Sequence, residues 1–493
     1  MFIEENRSDI QLRMNTKSSQ IYKGGIFLLL LLGIVFLQLV TASLSIGHLP
    51  SKVINAHISL EVDEDVTLNG PVTVSDGSTL EYINKTIYYD SSEAPIFSVY
   101  GTLKLINCKI VPLKGAVDFI SANQATVFLE NVTFLNPSGR NSSLFSISDS
   151  YLYVNHAVFS GFHDGSIFSS SDVYISNMYL NITDHFTFYD DMNLTIANSI
   201  INLVENSPAR LLEISSTDGA SLINNTIRMP VEAVETYDAW LEGISLQSST
   251  NVIVEGNTVI NGGKTLVSYG SSNILIINNT FMNEKLVEGT ELQIDSSSED
   301  IIIANNSFSG FWEAIEIYAY KNVTVTGNVI VQSEAAIKVE PSTASKLTEV
   351  YVFKNTFVNS NVLIFSCNGL IVENNTIENS DVVIYNSNNV TLKQNLLRNV
   401  TVEVTESNDV TIANNTIYVL EGTEWLSVRN STVTEYDNKI ITLPNLGGEQ
   451  NGGANKPEET LMLQDNQMLL ITGIIVLLGL IVVIAMRRKR KAK

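Results

Sequence analysis

Residues 387–417 read SNNVTLKQNLLRNVTVEVTESNDVTIANNTI, and one short template occurs in them twice, twenty residues apart. Each copy is a polar turn, an apolar-x-apolar-x stretch, an Asn-rich turn and a closing apolar residue. The same template fits SSNILIINNTF (271–281), SEDIIIANNSF (298–308) and YKNVTVTGNVI (320–330). Taking the residue three before the closing apolar position as marker, a column runs outward through Asn107, Asn131, Asn155, Asn177, Asn198, Asn224, Gly256, Asn278, Asn305, Gly327, Lys354, Asn374, Gln394, Asn414 and Asp437. Their spacing falls in the range that signals a repeat architecture.

Between turns the apolar residues alternate, as in Leu103/Leu105, Val252/Val254, Ile301/Ile303 and Val410/Ile412. Alternation with period two means strands with those pairs inward. A second alternating set follows in several repeats: Ile244/Leu246, Ile315/Ile317 and Ile337/Val339. Two or three short strands per repeat, joined by tight turns, make one coil of an all-β parallel solenoid of about 15 coils. Stacked coils escape the long crossover that parallel strands otherwise need, because each strand pairs with its equivalent one turn later. Asn suits the corners. Its amide carries donor and acceptor, and it tolerates the left-handed backbone of a sharp turn. Asn224, Asn278, Asn305, Asn374 and Asn414 are therefore expected to form a structural ladder up the stack. Glu435, where the alternation calls for an apolar residue, marks a polar last coil of the kind that caps a solenoid.

Composition narrows the class. The 493 residues carry 29 Lys and Arg against 52 Asp and Glu, a net charge of −23, with a 44% hydrophobic content. An acidic surface repels polyanions, so nucleic acid is excluded as a partner. Two apolar runs frame the repeat. Ile26–Val40 after Lys23, leading to Ala42, reads as a secretory signal, with an uncleaved anchor as the alternative. Met468–Met486 carries no charge along its whole length and is followed by RRKRKAK, which reads as a transmembrane helix with a cytoplasmic tail. The expected organisation is a signal or anchor (1–42), an extracellular solenoid (43–442), a Gly- and Pro-containing stalk (443–466), a membrane span (467–486) and a basic tail (487–493). The expected location is the cell membrane, with the solenoid outside.

The Asn-Asn-Thr-Ile and Asn-Asn-Thr-Phe corners on this period resemble the pectin-lyase-like right-handed parallel β-helix superfamily, in particular its NosD-type repeat proteins. The resemblance spans roughly residues 53–442 and implies the right hand of the coil. That superfamily contains lyases, hydrolases, adhesins, copper-maturation proteins and surface-layer proteins, so it implies a fold and no single activity. The residue set of its polygalacturonase-like hydrolases is not assembled. The only Asp-Asp is Asp190-Asp191, and none of the five histidines precedes a Gly. Neither a catalytic set, a metal site nor a cofactor is expected, and the histidines are scattered along the chain.

The longest repeats, which begin at Asn224, Asn278 and Gly327, supply the ligand-binding candidates. Tyr237, Asp238, Trp240 and Glu242 lie in one, and Trp312, Glu313 and Glu316 in the coil nearby. Aromatic faces beside carboxylates suit a sugar, the aromatics for stacking and the acids for hydroxyls, and a glycosidase pair is the catalytic alternative. The plainer alternative is that they cover the flank of the solenoid, with Glu316 pairing with Lys338 one coil along. The reading is a cell-surface protein with a structural or adhesive role, whose partners are a glycan or neighbouring surface proteins; a surface polysaccharide hydrolase or lyase is the runner-up. Of the Asn-x-Ser/Thr sequons, Asn84, Asn141, Asn399 and Asn430 are the expected glycan acceptors, the ladder asparagines being too engaged. Cys108 and Cys367, about eleven coils apart, stand roughly 50 Å from each other at ~4.8 Å per coil and cannot form a disulfide.

Overall fold

In the computed structural model the chain is described over residues 52–54, 59–62 and 65–444, except for 138–141, 169–170, 191–192, 206–209, 232–240, 320 and 342–348. The expectations for 1–42, for the stalk, span and tail, and for Asn141, Tyr237, Asp238 and Trp240 fall outside those residues. No helix among the described residues is long and apolar enough to cross a membrane. The solenoid unit ends at Leu443.

Each coil carries up to three short strands, which define three faces. Face one holds the strands before the Asn corner, such as Thr102–Ile106, Thr250–Glu255 and Val410–Ala413. Face two follows the corner, as in Lys109–Pro112, Thr258–Ile260 and Thr416–Leu420, and face three closes the coil, as in Ile120–Asn123, Lys264–Tyr269 and Leu426–Arg429. All pairings are parallel and join a strand to its equivalent in the next coil: Leu80 lies beside Leu103, Leu103 beside Val127, and Val127 beside Leu152. Seventeen strands stack on face one, fifteen of them leading to the marker positions and two preceding them.

The alternating residues point where the sequence pattern puts them. Leu103, Leu105, Val252, Val254, Ile301, Ile303, Ile315 and Ile337 are fully buried in a single core. Corners are made by left-handed residues. Fourteen of the fifteen markers have φ between 51° and 67°, and at the remaining one the turn falls on His156 instead of Asn155. Asn, Asp and Gly meet that geometry at least cost. Gly256 and Gly327 need to be glycine for a second reason, since a Cβ there would collide with Oδ1 of Asn224 and Asn305 in the preceding coil.

The ladder itself is displaced by one residue from its expected place. Asn224, Asn278, Asn305, Asn374 and Asn414 are the left-handed corner residues and are exposed to solvent. The next residue in each coil is the buried rung: Asn225, Asn257, Asn279, Asn306, Asn328, Asn355, Asn375, Asn395 and Asn415. Asn328 is typical. Its Oδ1 accepts from the Asn306 backbone N–H at 2.9 Å and from Asn306 Nδ2 at 3.0 Å, while its own Nδ2 donates to the Ile303 carbonyl at 2.9 Å and to Asn355 Oδ1 at 3.0 Å. Every polar atom of a fully enclosed amide is satisfied, which is the condition for burying it. The reason for the displacement is steric. The left-handed residue throws its side chain outward at the corner, and its successor turns back over the core. A serine ladder lines the corner between faces three and one, where the backbone N–H groups of Thr217, Ser249 and Ser271 donate to the hydroxyls of Ser249, Ser271 and Ser298 at 3.0–3.3 Å.

At the C-terminal end Glu435 stands in register with Ile412, in the inward column, and is exposed. This is the polar cap read from the sequence.

Candidate functional site

The long coils insert their extra residues beside face three. On that face the outward residue between each inward pair falls into a column: Glu213, Ser245, Val267, Gln293, Glu316, Lys338. A second column runs Ser215, Gln247, Tyr269, and, further up the stack, Tyr318 and Glu340 extend it past Ile317 and Val339. Outward side chains of a sheet are normally wet, yet Ser245 and Val267 are fully buried here and Glu316 is only 3% exposed. This stretch of face three is a polar recess.

Two charge networks line it. In the lower one, Arg210 Nε lies 3.2 Å from Glu242 Oε2 and its Nη1 lies 3.3 Å from Glu213 Oε1; Tyr269 OH donates to Glu242 Oε1 at 3.1 Å, and Gln247 Nε2 to Glu213 Oε1 at 2.8 Å. Glu242 is 5% exposed, and Arg210 is the cation beside it. Burial first, and the Glu242 charge second, push the Tyr269 phenol up to about 12. In the upper network Lys338 Nζ lies 2.8 Å from Glu316 Oε1, 3.3 Å from Glu313 Oε1 and 3.5 Å from Glu340 Oε2. Tyr318 OH donates to Glu316 Oε1 at 2.6 Å, and Gln293 Nε2 to Glu316 Oε2 at 3.4 Å. Burial acts to lower the Lys338 pKa, but the hydrogen bond and charge of Glu316, with Glu313 behind them, outweigh it and hold the ammonium above its ordinary range. The Tyr318 phenol is raised as well, by burial and then by Glu316.

Of the sequence candidates, Glu242, Glu313 and Glu316 line this recess. Trp312 sits next to Glu313 in the chain, with 39% of its surface exposed. The pairing of Glu316 with Lys338 occurs as the plainer alternative had it. Glu316, with Lys338, Tyr318 and Gln293 all donating to it, is tied into the wall of the face. Arg210, Glu213, Tyr269, Gln293 and Tyr318 were not singled out from the sequence. The coils that carry them differ in length, so sequence spacing alone does not bring them into one column.

The scattered histidines are less scattered in space. His163 and His185 lie about one coil apart, and both flank Asp184: His185 Nδ1 at 3.1 Å and His163 Nε2 at 3.5 Å from Oδ2. Among the described residues no group of three His, Cys, Asp or Glu side chains is set to hold a metal ion. Cys108 and Cys367 are both buried and unpaired. Burial raises both thiols, that of Cys367 to about 12, which leaves them poor nucleophiles at neutral pH. Asn84, Asn399 and Asn430 are exposed corner residues.

The model of the right handed beta helix region matches residues 210–365, the stretch that contains the recess. No curated protein matches the chain. Among solved structures, a tailspike protein variant of E. coli bacteriophage HK620 in complex with a hexasaccharide is 12% identical, with 82% of this chain and 72% of that chain covered and a TM-score of 0.30. The Streptococcus pneumoniae surface protein and adhesin PfbA is similar at 11% identity, over 78% of this chain and 91% of that one, with a TM-score of 0.23. A second structure of PfbA is 13% identical, over 78% and 84%, with a TM-score of 0.27. The match at 210–365 covers the middle of a parallel solenoid whose strand pairing continues on either side of it, and the fold is a right-handed parallel β-helix.

Proposed function

We propose that this protein is a surface-displayed β-helix scaffold with a structural or adhesive role, and that the recess on face three between Arg210 and Glu340 binds a neutral glycan. In this reading the run 467–486 anchors the chain in the cell membrane and 43–466 lies outside. One observation carries the binding site: outward-pointing residues of face three are buried among charged groups, where Gln293 Oε1 has no hydrogen-bond partner among the described residues and Glu242 Oε2 has only its ion pair with Arg210. A preorganised wall of carboxylates and phenols presents acceptors and donors to sugar hydroxyls without having to be assembled on binding. The charge balance selects the ligand class. Five acids (Glu213, Glu242, Glu313, Glu316 and Glu340) stand beside Arg210 and Lys338, so uronates and sulfated sugars are repelled while neutral or amino sugars are tolerated. Trp312, exposed next to Glu313, is the aromatic face on which a pyranose ring would stack.

The test is retention of the full-length protein, in detergent, on immobilised neutral, amino and uronic polysaccharides, with new reducing ends followed in parallel. Retention on neutral or amino glycans that falls about tenfold in Trp312→Ala, a loss of about 1.4 kcal/mol, is the expected result. New reducing ends that vanish in Glu313→Gln would make the protein an enzyme instead. Absence of retention on every glycan would leave a purely structural or protein-binding role.

A further inference from the structure

Face one presents outward columns that carry aromatic and aliphatic residues in register over many coils. Its central outward column reads Phe128, Tyr153, Tyr174, then Thr195 and Ser221, then Ile253, Leu275, Ile302, then Thr324, Tyr351 and Ile371. Beside it runs a second outward column of Ile223, Glu255, Ile277, Ala304, Thr326 and Phe353, in which Glu255 is the one acid. Ile302 and Tyr351 are each 44% exposed. The rings of Phe128 and Tyr153 are stacked, 4.5 Å apart and 4° from parallel, and Tyr174 continues the stack at 5.4 Å. Their faces are used on one another, so their edges meet the solvent. Such a ladder suits another flat surface better than a sugar ring.

We propose that face one is the interface of a homodimer, in which the face-one sheets of two copies pack against each other. Three features favour a second copy of this chain. The surface is long, regular and flat, and a parallel sheet is normally covered on both sides. Its size fits: eleven coils from Phe128 to Ile371 at ~4.8 Å, and about four residues of ~3.3 Å across, give roughly 700 Å² per partner, within the range of stable interfaces. Charge permits the approach despite the net −23. Cations of this face stand beside acids of the neighbouring coil, with Lys393 Nζ 3.2 Å from Glu373, Lys104 Nζ 4.0 Å from Glu81, and Lys321 paired with Glu299. Sheet-on-sheet contact at ~10 Å then buries the aliphatic and aromatic columns of both copies.

The test is the molar mass of the full chain in detergent by sedimentation and light scattering at about 10 μM. Twice the chain mass is expected, falling to one chain mass in Ile302→Asp and in Tyr351→Ser, with the dissociation constant raised at least a hundredfold. Thr187→Asp, on the outer side of face three, should leave the dimer intact. Thermal unfolding and circular dichroism establish that each variant is folded. A monomeric wild-type protein would overturn the proposal. So would a dimer that survives Ile302→Asp and Tyr351→Ser, which would place the contact elsewhere, as in the apolar run 468–486.

Discussion

The lower and upper parts of this solenoid share one backbone plan and hold it together by different means. From Val66 to Leu203 the aliphatic core contains a chain of aromatic rings. Phe119 lies 4.9 Å from Phe134 edge-on, Phe134 lies 4.9 Å from Phe162, and Phe186 lies 4.7 Å from Phe188. In four of these coils the residue after the corner is apolar and buried, namely Cys108, Val132, Ala157 and Met178, while Ser199 in the coil below Asn225 starts the polar column. The amide ladder is instead on the outside, where Asn107 Nδ2 donates to Asn84 Oδ1 at 2.7 Å and Asn131 Nδ2 to Asn107 Oδ1 at 2.9 Å. From Arg210 to Val419 the core is mostly Ile, Val and Leu, and the amide ladder is inside. Cys108 shows how closely the two plans correspond, since its Sγ reaches the Tyr82 carbonyl at 3.2 Å, in the place of the bond that Asn328 makes to Ile303. The position after the corner thus needs a small group that can turn inward, and either burial or a satisfied amide will serve. A buried amide demands an unbroken column, because each asparagine is satisfied by the next. An apolar residue makes no such demand.

The largest contrast should come from the aromatic rings. Phe119→Ala removes a fully buried ring and is expected to cost about 3–5 kcal/mol in denaturant unfolding. A loss under ~1 kcal/mol would mean that the aromatic rings do not hold the lower core. In the upper part Asn328→Ala should cost about 2–4 kcal/mol, since it orphans the buried Asn306 N–H and one amide proton of Asn306 in the coil below and removes the side-chain donor to the Ile303 carbonyl. Gly327→Ala forces a side chain onto a left-handed corner and against Asn305, and its loss should fall below that of Asn328→Ala but above that of the exposed ladder. On that exposed ladder Asn107→Ala should cost less than ~1 kcal/mol in the same assay; a loss equal to that of Asn328→Ala would erase the distinction between the ladders.

The smallest effect is on pH. The phenols of Tyr269 and Tyr318 and the ammonium of Lys338 bind their protons more tightly in the folded chain than in the unfolded one. Their contribution is fully present below pH 10 and is lost as the pH rises from there through about 12, the value for Tyr269. Stability should therefore decline above pH 10, and phenolate absorbance at 295 nm should lag in Tyr269 and Tyr318 relative to the unfolded chain.

Repeat, strand direction and core were legible in the sequence because each depends on a period, one of two residues along a strand and one of a coil length between strands. The pairs Leu103/Leu105 and Ile301/Ile303 could point in only one direction once the register was fixed. Whether Asn278 or Asn279 is the buried rung could not be read the same way. Both are asparagines, and the choice turns on which takes the left-handed backbone. The recess was half legible. Glu316 and Lys338 are one coil apart and were paired on that ground, whereas Arg210, Tyr269 and Tyr318 lie on coils of unequal length, where counting loses the register. The outward columns of face one, Phe128 to Tyr174 and Ile253 to Ile302, do not emerge from the inward half of the alternation, which alone defines the strands and the core.

Ladder, recess and face-one surface all rest on coils stacked in one register, and that register can be measured directly. Thr324 and Tyr351 are partners on adjacent coils of face one, while Ile371 lies one coil further. Cysteines placed at 324 and 351 should form a disulfide readily under mild oxidation, their Cα atoms standing about one coil apart, whereas cysteines at 324 and 371 stand two coils apart, beyond the ~7 Å limit. Cys108 and Cys367 stay silent, being buried with raised pKa values. Rapid linkage of the first pair with none in the second is the predicted result. Equal linkage in both, or linkage only between 324 and 371, would contradict the stacking and the sites built on it.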